Sequence, residues 1–395
     1  MKIVHERCCG LDIHKKLVVG CAITPEGKEI KTFGTTTKET FALLDWVTAK
    51  GCTHVAMEST GVYWKPIYNL LEQADITPLV VNAAHIKAVP GRKTDVKDAE
   101  WIADLLRHGL LQGSYIPDRP QRELRELVRY RRSLVGERSR EVQRIQKVLE
   151  GANIKLSSLA TDVMGASGRD ILHAIVNGLD HSETLAAMAK GRLKKKHDQL
   201  VDSLEGLLNR HQRMMLDIQL RHIDTLDEAI ASLNKEIEER MRPFEHEIEL
   251  LDAISGVGRQ TAEGIIAEIG VDMSRFPSSA HLASWAGMAP GNNESAGKRR
   301  SGRTRKGNKS LRSTLTEAAR AAAHTKGTYL SAQYHRIASR RGANRAAVAV
   351  GHSILVSVYH HRVKIRLSPD ASAMISGRQK VCISAMEQSP SPGFE

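Results

Sequence analysis

No stretch of this 395-residue chain approaches the run of roughly 18 apolar residues that a membrane span requires. The opening MKIVHERCCGLDIHKK carries charges where a secretory leader would be apolar, so a cytoplasmic protein without a membrane partner is expected. Cysteine is scarce: Cys8, Cys9, Cys21, Cys52 and Cys382 form no C-x-x-C pair. An odd count without a leader argues against a disulfide framework or a structural zinc site and leaves small buried or surface thiols. Acid is missing where base is densest, since residues 298 to 312 contain no Asp or Glu.

What is present is positive charge. The formal net charge is +13 and the isoelectric point about 9.5, which makes a polyanion, and nucleic acid first, the expected partner. With 41% apolar residues the chain can bury more than one core. The expected fold class is α/β followed by all-α, with boundaries at 1–115, 116–249, 250–365 and a tail, 366–395, expected to be disordered for want of periodicity.

The first hundred residues read as βββαβαβα: strands at 7–13, 17–23 and 30–33, a helix at 41–49, a strand at 54–57, a helix at 63–74, a strand at 77–82 and a helix from about Asp95 to His108. From Arg122 the chain becomes long charged helices with Gly151 as a stop. Leu216, Leu220, Ile223, Leu226, Ile230, Leu233 and Ile237 recur at alternating steps of three and four, a coiled-coil seam ending near Pro243. It reads as a dimerising or domain-spacing arm, or else as one half of an intramolecular helical hairpin. Beyond Leu250, LLDAISGVGRQTAEGIIAEIG reads as helix, glycine turn, helix, a helix-hairpin-helix-like turn able to hold a phosphate.

Two constellations carry chemistry. Asp12 closes the first strand, Glu58 the fourth, and Asp95 and Asp98 begin the last helix of the N-terminal region. Ligands gather at strand ends of an α/β sheet, and four hard oxygen donors suit Mg²⁺ or Mn²⁺ over zinc. Each acid taken singly is also an ordinary cap, first-turn acid or solvated strand end. Spacing alone reaches a metal-dependent, nuclease-like domain. The second constellation is a loop with Lys298, Arg299, Arg300, Arg303, Arg305, Lys306, Lys309 and Arg312, interleaved with glycine and fit to neutralise phosphates. Its hydroxyls, Ser295, Ser301, Thr304, Ser310, Ser313 and Thr314, have no neighbouring histidine, and nothing in their spacing selects one as a nucleophile.

Taken in order, LDIHK, MESTGVYW, KTDVKDA, LDAISGVGRQTA, WAGMAPGNNESAGKRRSGRTRKGN and LRSTLTEAA resemble the DEDD-type transposases of the insertion-sequence one-ten family, relatives of the Piv-type invertases. The resemblance covers about residues 7–150 and 250–325. It implies a ribonuclease-H-like (RuvC-like) N-terminal domain binding Mg²⁺ through Asp12, Glu58, Asp95 and Asp98. It also implies a serine nucleophile at Ser295, a bridge RNA pairing with donor and target DNA, and dimers of dimers. Ala296 stands where the family commonly has glycine. The rival readings are a RuvC-like endonuclease that uses water and the acids alone, and a basic nucleic-acid-binding protein without catalysis.

Overall fold

The structure is a computed structural model that describes residues 2–59, 61–82, 98–291, 293–295, 298–301, 304 and 306–367; for 293–295, 298–301 and 362–367 it describes the backbone alone. Asp95, Arg303, Arg305 and the tail from 368 on lie outside the described residues. The chain divides into two compact units, Met1–Pro117 and Asp118–Glu395.

In the first unit, β1 (Cys8–Ile13), β2 (Leu17–Thr24), β3 (Gly27–Gly34), β4 (His54–Glu58) and β5 (Thr77–Val81) form one sheet in the order β3-β2-β1-β4-β5. The β1–β2 and β2–β3 pairs are antiparallel, while β1–β4 and β4–β5 are parallel. The expected order of elements is the one found. Alternation along β1 sends Cys9, Leu11 and Ile13 to one face, where they join residues of α1 (Thr37–Ala49) and α2 (Trp64–Gln73). Cys8 faces the other way, into a core with Ala99, Ile102, Ala103 and Leu106 of α3 (Asp98–Arg107).

The seating of α3 depends on Gly10. A Cβ there would come within 2.3 Å of the Ala99 carbonyl oxygen and 2.4 Å of the Ala103 nitrogen, so helix backbone lies directly on strand backbone. Cys8, Cys9, Cys21 and Cys52 are free and buried. Burial pushes the Cys8, Cys21 and Cys52 thiols up to about 11 and Cys9 well above its ordinary value, so these four are packing groups and poor thiolates at neutral pH.

The second unit is helical, apart from one hairpin, among the described residues. Its spine is α4 (Arg119–Gly151), started by the Asp118 carboxylate accepting from the Gln121 N–H. After α5 (Leu156–Leu159), α6 (Ala166–Val176), α7 (Ser182–Ala187) and α8 (His197–Leu204) comes α9 (Arg210–Met241), opened by a reciprocal Asn209–Gln212 capping box. Cross-links between α4 and α9 run Glu123 to Arg240, Arg131 to Asn234, Arg138 to Asp227 and Glu141 to His222. The two helices are therefore antiparallel neighbours in one chain.

This alters the expectation of a dimerising coiled coil. Leu216, Leu220 and Ile223 of the seam are buried against Ile145 and Leu149 of α4 and against α6 and α8, so the apolar stripe is consumed by an intramolecular hairpin. The heptad-like spacing reports a long helix with a long partner, and the partner lies upstream in the same chain. The remaining elements are α10 (Glu245–Asp252), α11 (Arg259–Ile269), α12 (Ser279–Trp285), β6 (Asn293–Ser295), β7 (Lys298–Ser301), α13 (Lys309–His324), α14 (Tyr329–Arg341) and α15 (Ala343–Leu367). No described helix is long and apolar enough to cross a membrane.

Replacing Gly10 by Ala should destabilise the first unit by about 1–3 kcal/mol, the usual range for an overpacked interior. Chemical denaturation of parent and variant measures it, and an unchanged midpoint would refute the close-approach account.

Candidate active site

Asp12 and Glu58 end up side by side because β1 and β4 are parallel and in register. Leu11 pairs with Met57, and one step further along both strands brings Asp12 level with Glu58. Both follow the alternation that places Gly10 and Ala56 under α3, so both carboxylates belong to the α3 face. The helix runs antiparallel to β1: the Arg107 carbonyl accepts from the Val4 and His5 N–H groups, the Ala103 carbonyl from the Cys8 thiol, and Ala99 lies over Gly10. Continuing that progression directs Asp98, the first residue of α3, toward the end of the sheet that carries Asp12 and Glu58.

Asp12 is well enclosed, with 14% of its side chain exposed. Its Oδ2 lies 3.0 Å from Nε2 of His14, which is largely exposed. His14 stands in the LDIHK stretch and received no role from the sequence. The signal was its i+2 spacing from Asp12, which puts both on the same side of an extended chain. Among the described residues no group of three or more His, Cys, Asp or Glu is drawn together closely enough to hold a metal ion. Three of the four expected acids thus share a face and an end, and the fourth, Asp95, falls outside the described residues.

The serine-bearing segment, expected as a loop, is a two-stranded antiparallel hairpin. Ser295 pairs with Lys298, Glu294 with Arg299 and Asn293 with Ser301, with an irregularity between Asn293 and Glu294. Ser295 is therefore the last paired residue before the tip, while Ser301 is at the open end, roughly 10 Å away at ~3.3 Å per residue. The other hydroxyls sort themselves. Arg132 donates to Ser313 Oγ (2.8 Å) and to Thr314 Oγ1, and Thr314 is buried, so these two are occupied in packing. Thr304 pairs with Pro290 at the hairpin base. Of the expected phosphate-binding cations, Lys306 and Lys309 are exposed and Arg312 is half-buried; only the backbones of Lys298, Arg299 and Arg300 are described.

The base of the hairpin is tightly held. A Cβ on Gly307 would come within 2.3 Å of the Gly287 nitrogen. The adjacent Asn308 accepts from the Leu311 N–H to cap α13 and donates through Nδ2 to Glu268 Oε2 at 2.6 Å. Glu268, only 2% exposed, also receives Nε and Nη2 of Arg129 at 2.6 and 2.8 Å, with Arg125 Nε at 3.3 Å. Burial raises its pKa, but the Arg129 and Asn308 hydrogen bonds and the two guanidinium charges outweigh that, and the net shift is downward.

Read by itself, the arginine-rich α4 looks like a grip on a nucleic-acid backbone, but the structure gives its cations another task. Arg125 and Arg129 hold Glu268, Arg131 holds the buried Glu263 at 2.8 Å, Arg132 engages Glu317, Arg138 Asp227 and Arg144 Glu141. Each of these cations is matched by a carboxylate of its own chain. The glycine turn between α10 and α11 is likewise a packing device: Gly256, at φ +85°, admits α13 so closely that a Cβ would meet the Ala318 oxygen at 2.4 Å.

Comparison with known proteins follows the same division. A transposase family model of the DEDD, IS110 type matches residues 9–154, the span of Asp12, Glu58, Asp95 and Asp98. A second, for transposases of the IS116/IS110/IS902 family, matches residues 248–335, the span of the serine hairpin. The chain belongs to the IS110 family of transposases. It is similar to the insertion element IS110 uncharacterized 43.6 kDa protein of Streptomyces coelicolor, at 26% identity over 315 residues, 71% of this chain and 75% of that one. The transposase is accordingly an enzyme that cleaves and rejoins DNA.

Glu268→Gln should cost about 3–5 kcal/mol at neutral pH, because it leaves buried guanidinium charge unmatched. The lowered pKa sets the sign of the acid response. The carboxylate's contribution is complete above the ordinary glutamate value of 4.5 and is lost as pH falls through the lower folded value. Urea midpoints from pH 7 to pH 3 should therefore fall less steeply for the variant than for the parent.

Proposed function

We propose that this transposase cuts and rejoins DNA with two chemical components, an acidic centre of Asp12, Glu58, Asp95 and Asp98 on a ribonuclease-H-like first unit and a nucleophilic Ser295 on the hairpin of the second. The observation that carries the reading is the placement of Asp12 and Glu58 at one level of adjacent parallel strands, on the face where α3 begins with Asp98. The mixed five-stranded sheet with helices on both faces supports the fold assignment.

Four carboxylates provide the hard oxygen donors that suit Mg²⁺ or Mn²⁺, and such an ion would supply Lewis-acid polarisation of the scissile phosphate. Asp12 is the residue best fixed for holding it, enclosed by the sheet face and oriented by His14. Ser295 would attack the phosphorus. Its Oγ–P bond forms as the P–O bond to the departing strand breaks; the serine loses its proton and the departing sugar oxygen gains one. A hydroxyl of the exchanged strand reverses these bonds, so the phosphodiester energy is conserved and no nucleotide cofactor is required.

In this reading a structured bridge RNA pairs with donor and target DNA and supplies sequence choice, while protein cations bind backbone. The working form is a dimer or tetramer, and its contacts come from surfaces other than the α9 seam, which α4 already occupies.

Asp12→Asn should reduce cutting of donor DNA by about 10²-fold or more, the scale of losing one preorganised charge at a phosphoryl centre. Ser295→Ala should abolish the covalent protein–DNA adduct, detected on denaturing gels, and strand exchange with it. Undiminished activity of Asp12→Asn sinks the acidic centre, and continued cutting by Ser295→Ala assigns the attack to water. Strand exchange that proceeds equally without the RNA transcribed beside the gene removes the guide.

A further inference from the structure

Between Glu317 and Asp370 the chain contains no acidic residue, and in this stretch α14 turns into α15 through Gly342 at φ +84°. Arg336 and Arg340 lie four apart on one side of α14, Arg341 ends it, and Arg345 opens α15. All four are exposed. Arg320 of α13 reaches the same corner, its Nη2 donating to Asn344 Oδ1 at 3.4 Å. Among the described residues no carboxylate pairs with any of these five guanidiniums, whereas those of α4 are matched nearly one for one.

Five unmatched cations at one helix corner are costly to hold together without a counter-anion. The corner is placed by a tight contact: a Cβ on Gly351 would meet Met288 Cε at 2.9 Å and the Leu315 oxygen at 3.1 Å, so α15 lies against α13. With Asn344 beside Arg320 and Gly351 beside Leu315, the two helices run antiparallel. The corner is then at one end of α13 and the exposed Lys306 and Lys309 are at the other, ~16 Å apart at ~1.5 Å per residue. That is close to half the ~34 Å repeat of a DNA duplex.

We propose that the α14–α15 corner, through Arg320, Arg336, Arg340, Arg341 and Arg345, is a docking surface for the phosphate backbone of duplex DNA, separate from the basic hairpin. Arg336 and everything after it lie beyond the residues matched by either family model. The surface carries charge and no constellation for reading bases, so its contribution is independent of sequence. Duplex DNA is the occupant because the enzyme's substrate is DNA and because the spacing to the α13 N-terminus suits a regular duplex.

The test uses the full-length protein and a labelled duplex of about 30 base pairs and arbitrary sequence, with binding followed by anisotropy across a salt series. Replacing Arg336, Arg340, Arg341 and Arg345 by Gln should make the log K against log salt slope shallower by about 3 to 4, at ~0.9 for each phosphate no longer neutralised. Replacing the same four by Lys should keep most of the slope. Arg336→Gln with Arg340→Gln should show about half the change, so a poorly folded quadruple variant does not end the test. An unchanged slope in folded Gln variants overturns the proposal, and so does a weakening seen only with a structured RNA probe.

Discussion

The contact between β1 and α3 at Gly10 is the constraint on which the position of Asp98 relative to Asp12 and Glu58 depends. Asp12 and Glu58 are brought level by strand pairing alone, but the α3 acids approach them only if the helix lies close to the sheet and at a fixed position along it. With no side chain at residue 10, helix backbone touches strand backbone and the helix cannot slide without collision. Close backbone packing thus sets the distance of Asp98 from the strand ends, and Cys8, Ile102 and Ala103 fill the space beside it with apolar contact. Carboxylates placed at one end of a sheet repel one another, so their position has to be carried by the packing of the scaffold. The burial of that second core supplies the holding force.

Much of this was legible in the residues themselves. Alternating apolar strands ending in Asp12 and Glu58 gave their positions because period-two geometry and strand ends are local properties. The α9 seam was legible as a helix but not as to its partner, since a stripe of Leu and Ile matches an upstream helix as well as a second copy. The partner could be seen only once Arg138 was found on Asp227 and Glu123 on Arg240, pairings between residues about a hundred positions apart. The hairpin at Ser295 is not legible in the sequence, because its strands are three and four residues long and rich in charge, with no apolar alternation to announce them.

Charge counting failed for a specific reason on α4. A helix with many arginines looks like a nucleic-acid grip when only its own residues are read, and the compensating acids, Glu263, Glu268, Asp227 and Glu317, lie far along the chain. Two of them, Glu263 and Glu268, are buried on α11, where an unpaired carboxylate would be untenable. The arginines there are a structural necessity of burying acids. Among the described residues Arg320, Arg336, Arg340, Arg341 and Arg345 have no such remote carboxylate, and the contrast separates cations that hold the fold from cations left to bind something else.

The hydroxyls can be narrowed by the same logic of prior commitments. Ser313 and Thr314 already accept from Arg132, and a nucleophile so engaged would have to break hydrogen bonds in a packed region before attacking. Thr304 is bridged to Pro290 at the hairpin base, near the place where Gly307 presses on Gly287. Ser301 is paired at the base end of the strands, whereas Ser295 is paired at their other end. Asn308 ties the start of α13, beside that base, to the buried Glu268, so the arginines that neutralise Glu268 also help to fix where the hairpin returns to the helical core.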